Sequence, residues 1–112
     1  MAESKLDIRL LGELTVLREG EILPLPQSRK TRGLLAYLVL SRGPVRREHL
    51  CELLWQVPDD PRAALRWSLS KLRGVVNSAH LQPLESDREH VSFNLTGVTV
   101  DVLGLRQRLA EK

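Results

Sequence analysis

Residues 60–77 read DPRAALRWSLSKLRGVVN, the stretch with the strongest local signal in the 112-residue chain. Asp60 can cap a helix, Pro61 suits a first helical position because its missing N–H is not needed there, and helix formers continue to about Asn77. Gly74 is the one weak point. With about 3.6 residues per turn, Leu65, Leu69, Leu72 and Val76 fall on one narrow stripe. Arg62, Arg66, Ser70, Arg73 and Asn77 lie on another side, with Ala63, Trp67 and Lys71 beyond them. A helix so divided needs apolar neighbours, and the flanking sequence supplies them.

Upstream, Arg47 to Trp55 reads as a second helix burying Leu50, Leu53 and Leu54, with Val45 placed to staple its entry. Arg46 stands where Ser, Thr or Asp would cap better, so a frayed start is expected. Before it, Ser28 can cap a helix to about Ser41, in which Thr31, Leu34, Leu35 and Leu38 keep helical spacing and Gly43-Pro44 ends the run. Arg29, Lys30 and Arg32 fall in its first turn. Cations there oppose the helix dipole at a cost of roughly 0.3–1 kcal/mol each, unexplained by a purely structural role, although ordinary solvated charges would look the same.

Earlier still, Ile8 to Leu11 and Leu14 to Leu17 are β-prone runs around Gly12, and Gly20 separates the second from Ile22, Leu23 and Leu25. A small antiparallel sheet is expected, ended by Pro24 and Pro26. Downstream of the third helix the period becomes two, with Val91, Phe93 and Leu95 on one face and His90, Ser92 and Asn94 on the other. Leu81 to Glu85 supplies a partner strand and Ser86-Asp87-Arg88-Glu89 the turn, which makes a hairpin. Past Gly97, Asp101 can cap a last helix carrying Val102, Leu105 and Leu109. The α+β order of sheet, three helices and hairpin thus occupies residues 6–97, with 98–112 read as linker and the start of a following helical domain.

Composition bounds the function. A chain with 42% hydrophobic and 28% charged residues fits one globular domain. Its single cysteine, Cys51, cannot form an internal disulfide, and beside Leu50, Leu53 and Leu54 it reads as a small buried hydrophobe. No apolar run approaches the roughly 18 residues of a membrane span, and no signal peptide is legible, so a soluble cytoplasmic, nucleoid-associated protein is expected, with no membrane partner. Net charge is only +3, but Gln27 to Asn77 holds ten Lys and Arg against four acids, leaving both flanks acidic.

Catalytic patterns are missing. His49, His80 and His90 are scattered, and there is no phosphate-cradling glycine loop, metal-ligand pair or nucleophile elbow. Asp59 and Asp60 precede Pro61, where capping explains them better than acid–base chemistry. The chain therefore reads as a non-enzyme without cofactor or metal.

The polar side of the third helix remains, and an α-helix fits the DNA major groove, where arginine pairs with guanine. Small Ala63 and Ser70 would permit close approach. An amphipathic helix always has a polar face, so solubility alone could account for these cations. Two details argue otherwise: no acid lies between Pro61 and Leu84, and Trp67 falls opposite the apolar stripe. Trp55, ending the second helix beside Leu53 and Leu54, reads as core instead.

Several stretches also resemble one family: Ile8-Arg9-Leu10-Leu11-Gly12, Arg32-Gly33-Leu34-Leu35-Ala36-Tyr37-Leu38, Arg47-Glu48-His49-Leu50 through Leu53-Leu54-Trp55, Leu65-Arg66, and Leu69-Ser70-Lys71-Leu72-Arg73. The chain is similar to the OmpR/PhoB-type winged-helix DNA-binding domain, and within that type to the SARP family of antibiotic regulatory proteins, over Ile8 to about Leu109. Val100-Asp101-Val102 resembles that family's junction with its helical activation domain. The resemblance implies a winged helix-turn-helix fold with the third helix in the major groove and the hairpin as a wing. It further implies a loop, Gln56 to Asp60, that can face RNA polymerase. It assigns Arg62, Arg66, Ser70, Lys71 and Arg73 to DNA, with Arg88 as wing-tip candidate among the repelling charges of Glu85, Asp87 and Glu89. Trp67, Asn77, Arg29 and Lys30 complete the candidate DNA set from the reading of the residues.

Two functions follow as expectations. One is sequence-specific duplex DNA binding by a bacterial transcriptional regulator, as a dimer or tandem array on repeated half-sites. The other is a winged-helix interaction module that docks an acidic partner or later domains of the same chain.

Overall fold

The side-chain oxygens of Ser28 and Asp60 accept from backbone N–H groups and so begin two of the helices, as their positions in the sequence require. The computed structural model describes residues 6–41, 43–55 and 60–103. Its elements in chain order are β1 (Leu6–Arg9), β2 (Thr15–Arg18), β3 (Glu21–Ile22), α1 (Arg29–Leu40), β4 (Val45–Arg46), α2 (Arg47–Leu54), α3 (Pro61–Val76), β5 (Leu84–Ser86), β6 (His90–Phe93) and β7 (Val98–Val100).

The amino-terminal strands form a hairpin around Glu19-Gly20, both at positive φ. Such a two-residue turn matches the right-handed twist of the strands it joins. Alternation buries Leu6, Ile8 and Val16 while Asp7 and Arg9 face outward. The sheet is not purely antiparallel, however. Its order is β3-β2-β1-β7, and β7 lies parallel to β1 with Ile8 opposite Val100. Residues 98–100, expected as linker, are therefore part of the sheet. The Asp101 carboxylate fixes this return by accepting from Leu10 N at 2.8 Å and Leu11 N at 3.1 Å. Burial pushes that carboxyl up, but the N–H groups of Leu10, Leu11 and Val102 outweigh it and hold the group below the usual carboxylate range. A helical turn begins at residues 101–103, and the expected positions Leu105 and Leu109 lie outside the described residues.

Leu34, Leu35 and Leu38 of α1, Leu50 of α2, and Leu65, Leu69, Leu72 and Val76 of α3 meet in one core with Leu6, Ile8 and Val91. Within α2 the buried positions are Leu50 and Cys51, not the expected Leu53, which is 44% exposed. Trp55 is half-buried against the core, consistent with its expected packing role. The hairpin β5–β6 pairs Leu84 with Phe93 and starts at Leu84, later than expected, because Ser78 N donates to Leu81 O and closes a turn first. The two-residue strand β4 adds to its other edge, pairing Val45 with Val91. This third strand was not legible in the sequence.

Candidate nucleic-acid interface

The outward face of α3 can serve as a rigid platform only if the helix itself is held, and it is held at both ends and in the middle. Asp60 Oδ1 accepts from Arg62 N at 3.1 Å and Ala63 N at 3.2 Å. Midway, the buried hydroxyls of Ser68 and Thr31 sit 2.8 Å apart and join α3 to the first turn of α1. At the far end, Arg18 Nη2 reaches across from β2 to donate to the carbonyls of Val75 at 3.1 Å and Val76 at 2.9 Å. A cation at a helix carboxyl end also suits the helix dipole. The sequence carried no sign of this role, because Arg18 and the carbonyls it caps are more than fifty residues apart.

With its apolar stripe buried, α3 leaves Arg62, Arg66, Trp67, Ser70 and Lys71 exposed together. Trp67 is 52% exposed, and the Lys71 ammonium lies 5.5 Å from its ring centroid. At an exposed site such a cation–π contact contributes roughly 0.5–1 kcal/mol, enough to bias both side chains toward one arrangement. Arg29 and Lys30 are exposed on the turn of α1 that Thr31 ties to α3, so they flank its middle.

Two residues of the expected set have other duties. Asn77 Nδ2 donates to Leu84 O at 3.1 Å while its Oδ1 accepts from Leu84 N at 3.0 Å. Its amide thereby acts as a strand neighbour to β5, and both polar atoms are engaged there. Arg73 is half-buried and donates to the Ser86 hydroxyl, again joining α3 to the wing.

The wing tip carries Arg88, exposed between Asp87 and Glu89. Asp87 Oδ1 accepts from Glu89 N at 2.8 Å and His90 N at 2.7 Å, and these two bonds hold its carboxyl below the usual range. The turn is thus built around an anion. It is also docked: Arg47 N donates to Glu89 O and Arg47 Nε to Asp87 O, each at 2.8 Å. The start of α2, which has no side-chain cap from Arg46, is supported by the wing in this way. Arg46 and Arg47 were not among the expected site residues. Their role depends on pairing with a hairpin some forty residues away, which local patterns do not reveal.

Cys51 is 8% exposed, and burial pushes its thiol up although Arg62 and Arg47 pull it the other way. It fits the expected small hydrophobe. Among the described residues no group of three or more His, Cys, Asp or Glu could hold a metal ion, and no helix is long and apolar enough to cross a membrane.

No family model and no curated protein matches the chain. Among solved structures it is similar to Mycobacterium tuberculosis EmbR in complex with a low-affinity phosphopeptide, with a TM-score of 0.73 and 28% sequence identity. The match covers 86% of this chain and 27% of EmbR, so the chain spans little more than a quarter of that protein's length. The fold is a winged helix. In it α2 and α3 form the helix-turn-helix pair, β5 and β6 the wing, and β4 its inner edge. The expected polymerase-facing loop from Gln56 to Asp60 lies outside the described residues except for Asp60.

Proposed function

We propose that this winged helix is the DNA-binding domain of a bacterial transcription regulator of the OmpR/PhoB type, near the SARP family, and that α3 enters the major groove of duplex DNA. The observation that carries the reading is the exposed face of α3, where Arg62, Arg66, Ser70 and Lys71 surround Trp67 and no acid occurs from Pro61 to Leu84. A helix of roughly 10–12 Å diameter fits a groove about 12 Å wide. Arg66 and Ser70, near the centre of the face, are the base readers. Arg62 and Lys71 on its margins, with Arg29 and Lys30 from α1, suit phosphates, which position the protein without reading sequence.

Arg73 acts mainly by joining helix to wing, and Asn77 leaves the DNA set. Arg88 touches the backbone at most weakly, because Glu85 and Glu89 flank it. The likeness to EmbR supports a regulator's domain over an enzyme, and the domain as read performs no catalysis. Binding as a dimer or tandem array on repeated half-sites, a polymerase contact by the 56–60 loop, and a cytoplasmic location belong to the same proposal.

Selection from random duplexes at low and moderate salt tests it, with Arg66→Ala in parallel. A direct or inverted repeat should be enriched, affinity should fall steeply with salt, and the variant should lose roughly 1–3 kcal/mol of discrimination at one base position. Unchanged affinity and preference in Arg66→Ala would remove the assignment. Trp67, half-exposed amid cations, favours one second reading, a module docking an acidic protein segment. Absent enrichment together with tight binding of an acidic peptide, lost in Trp67→Ala, would select it.

A further inference from the structure

Between the start of α2, the first half of α3 and the wing turn lies a cavity of about 310 Å³. This is at the lower end of the range for small-ligand sites, roughly 300–1,000 Å³. Arg46, Arg47, Arg62, Arg66 and Arg88 line it against only two acids, Glu48 and Glu89. Its remaining walls are Leu65 and Cys51, both buried, so it has an apolar floor under a cationic rim.

The five arginines come from three separate stretches of chain, and with only two acids beside them their positive charges repel one another unless an anion is present. The one ion pair among these residues, Arg46 with Glu48, is 3.9 Å long with both side chains about 70% exposed, and does little to neutralise them. The frame is nevertheless fixed in advance, because the two bonds from Arg47 clasp the wing to α2. Guanidinium forks match phosphate oxygens bidentately, and a backbone frame already in place lowers the entropy cost of bringing them onto one anion.

We propose that this cavity binds a compact anion carrying two or more negative charges, of the phosphomonoester or pyrophosphate class, and that its occupant competes with duplex DNA for Arg62 and Arg66. The competition rests on the DNA reading above; the anion site does not. A DNA phosphodiester offers one charge per group, fewer than the cluster can neutralise, which favours the more highly charged small anion.

Calorimetric titration of the protein with pyrophosphate, at ionic strength fixed by chloride, measures the site without DNA. Saturable one-to-one binding is expected, weakened roughly tenfold or more in Arg46→Ala and by less in Arg88→Ala, because Glu89 beside it already offsets part of its charge. Both side chains are exposed, and unchanged thermal unfolding would confirm that the variants fold. No saturable binding, or binding as tight in both variants as in the unaltered protein, overturns the site. Weaker DNA binding by Arg46→Ala without any pyrophosphate binding also overturns it, leaving a backbone contact. In a second arm, pyrophosphate should release bound duplex at concentrations where chloride of equal ionic strength does not. Equal release by the two salts overturns the competition. Pyrophosphate binding by a protein that binds no duplex would uphold the site and sink the DNA reading instead.

Discussion

Replacing Thr31 by Val removes one oxygen from the joint between α1 and α3 and keeps the shape of the side chain. Thr31 is 0% exposed and Ser68 1%, and their hydroxyls are 2.8 Å apart. The change leaves the Ser68 hydroxyl buried without that partner. An unsatisfied buried hydroxyl costs roughly 1–3 kcal/mol, but a helical serine can turn back to a carbonyl of its own helix, which places Thr31→Val nearer 1–2 kcal/mol. Ser68→Ala should cost about as much, since it strands Thr31 instead. The double variant removes donor and acceptor together and should cost clearly less than the two losses added, with a coupling of about 1 kcal/mol. At this chain length each kcal/mol lowers Tm by roughly 4 °C. Urea and thermal unfolding followed by circular dichroism would measure all four proteins. Single losses that add in the double variant to within about 0.3 kcal/mol would refute the reasoning. Neither change alters the outward face of α3, so duplex binding well below Tm should be nearly unaffected.

Asp101→Ala removes the acceptor for Leu10 and Leu11 and should cost about 1–2 kcal/mol at neutral pH. Because the folded carboxyl lies below its ordinary range, its contribution is complete above that range and is lost as pH falls through the lowered value; Asp101→Asn should remove this dependence. Urea midpoints at neutral and acid pH measure it, and a wild-type-to-variant difference that does not change with pH would contradict the assignment. Asn77→Ala should cost about 1–2 kcal/mol and speed hydrogen exchange at the Leu84 amide while leaving base preference intact. A shifted base preference at unchanged stability would return Asn77 to the DNA face.

The parts of the fold legible in advance are those whose causes are local. Asp60 and Ser28 accept from N–H groups within three residues, Pro61 fixes its own φ, and both α1 and α3 begin where these residues place them. The apolar stripe of α3 is a property of helical period alone, and all four of its members are buried. The polar face that remained was legible for the same reason, which is why Arg62, Arg66, Trp67, Ser70 and Lys71 emerge together. The structure adds most where a residue's partner is distant. Asn77 has the periodicity of the exposed side, yet β5 comes close enough to engage its amide. Leu53 has the periodicity of the core, yet α2 at the edge of the bundle buries only part of its circumference.

By itself, then, the sequence determined the helices, the amino-terminal caps of α1 and α3, the hairpins and the basic face, because capping, turn chemistry and side-chain period act over a few residues. Tertiary structure alone decided that Val98–Val100 joins β1, that Val45–Arg46 joins the wing, and that Arg18 caps α3. Strands of two or three residues have no stability of their own and exist only where a paired edge awaits them. The cavity of arginines was decided in the same way, since its charges come from three stretches that only the docking of wing on helix brings together.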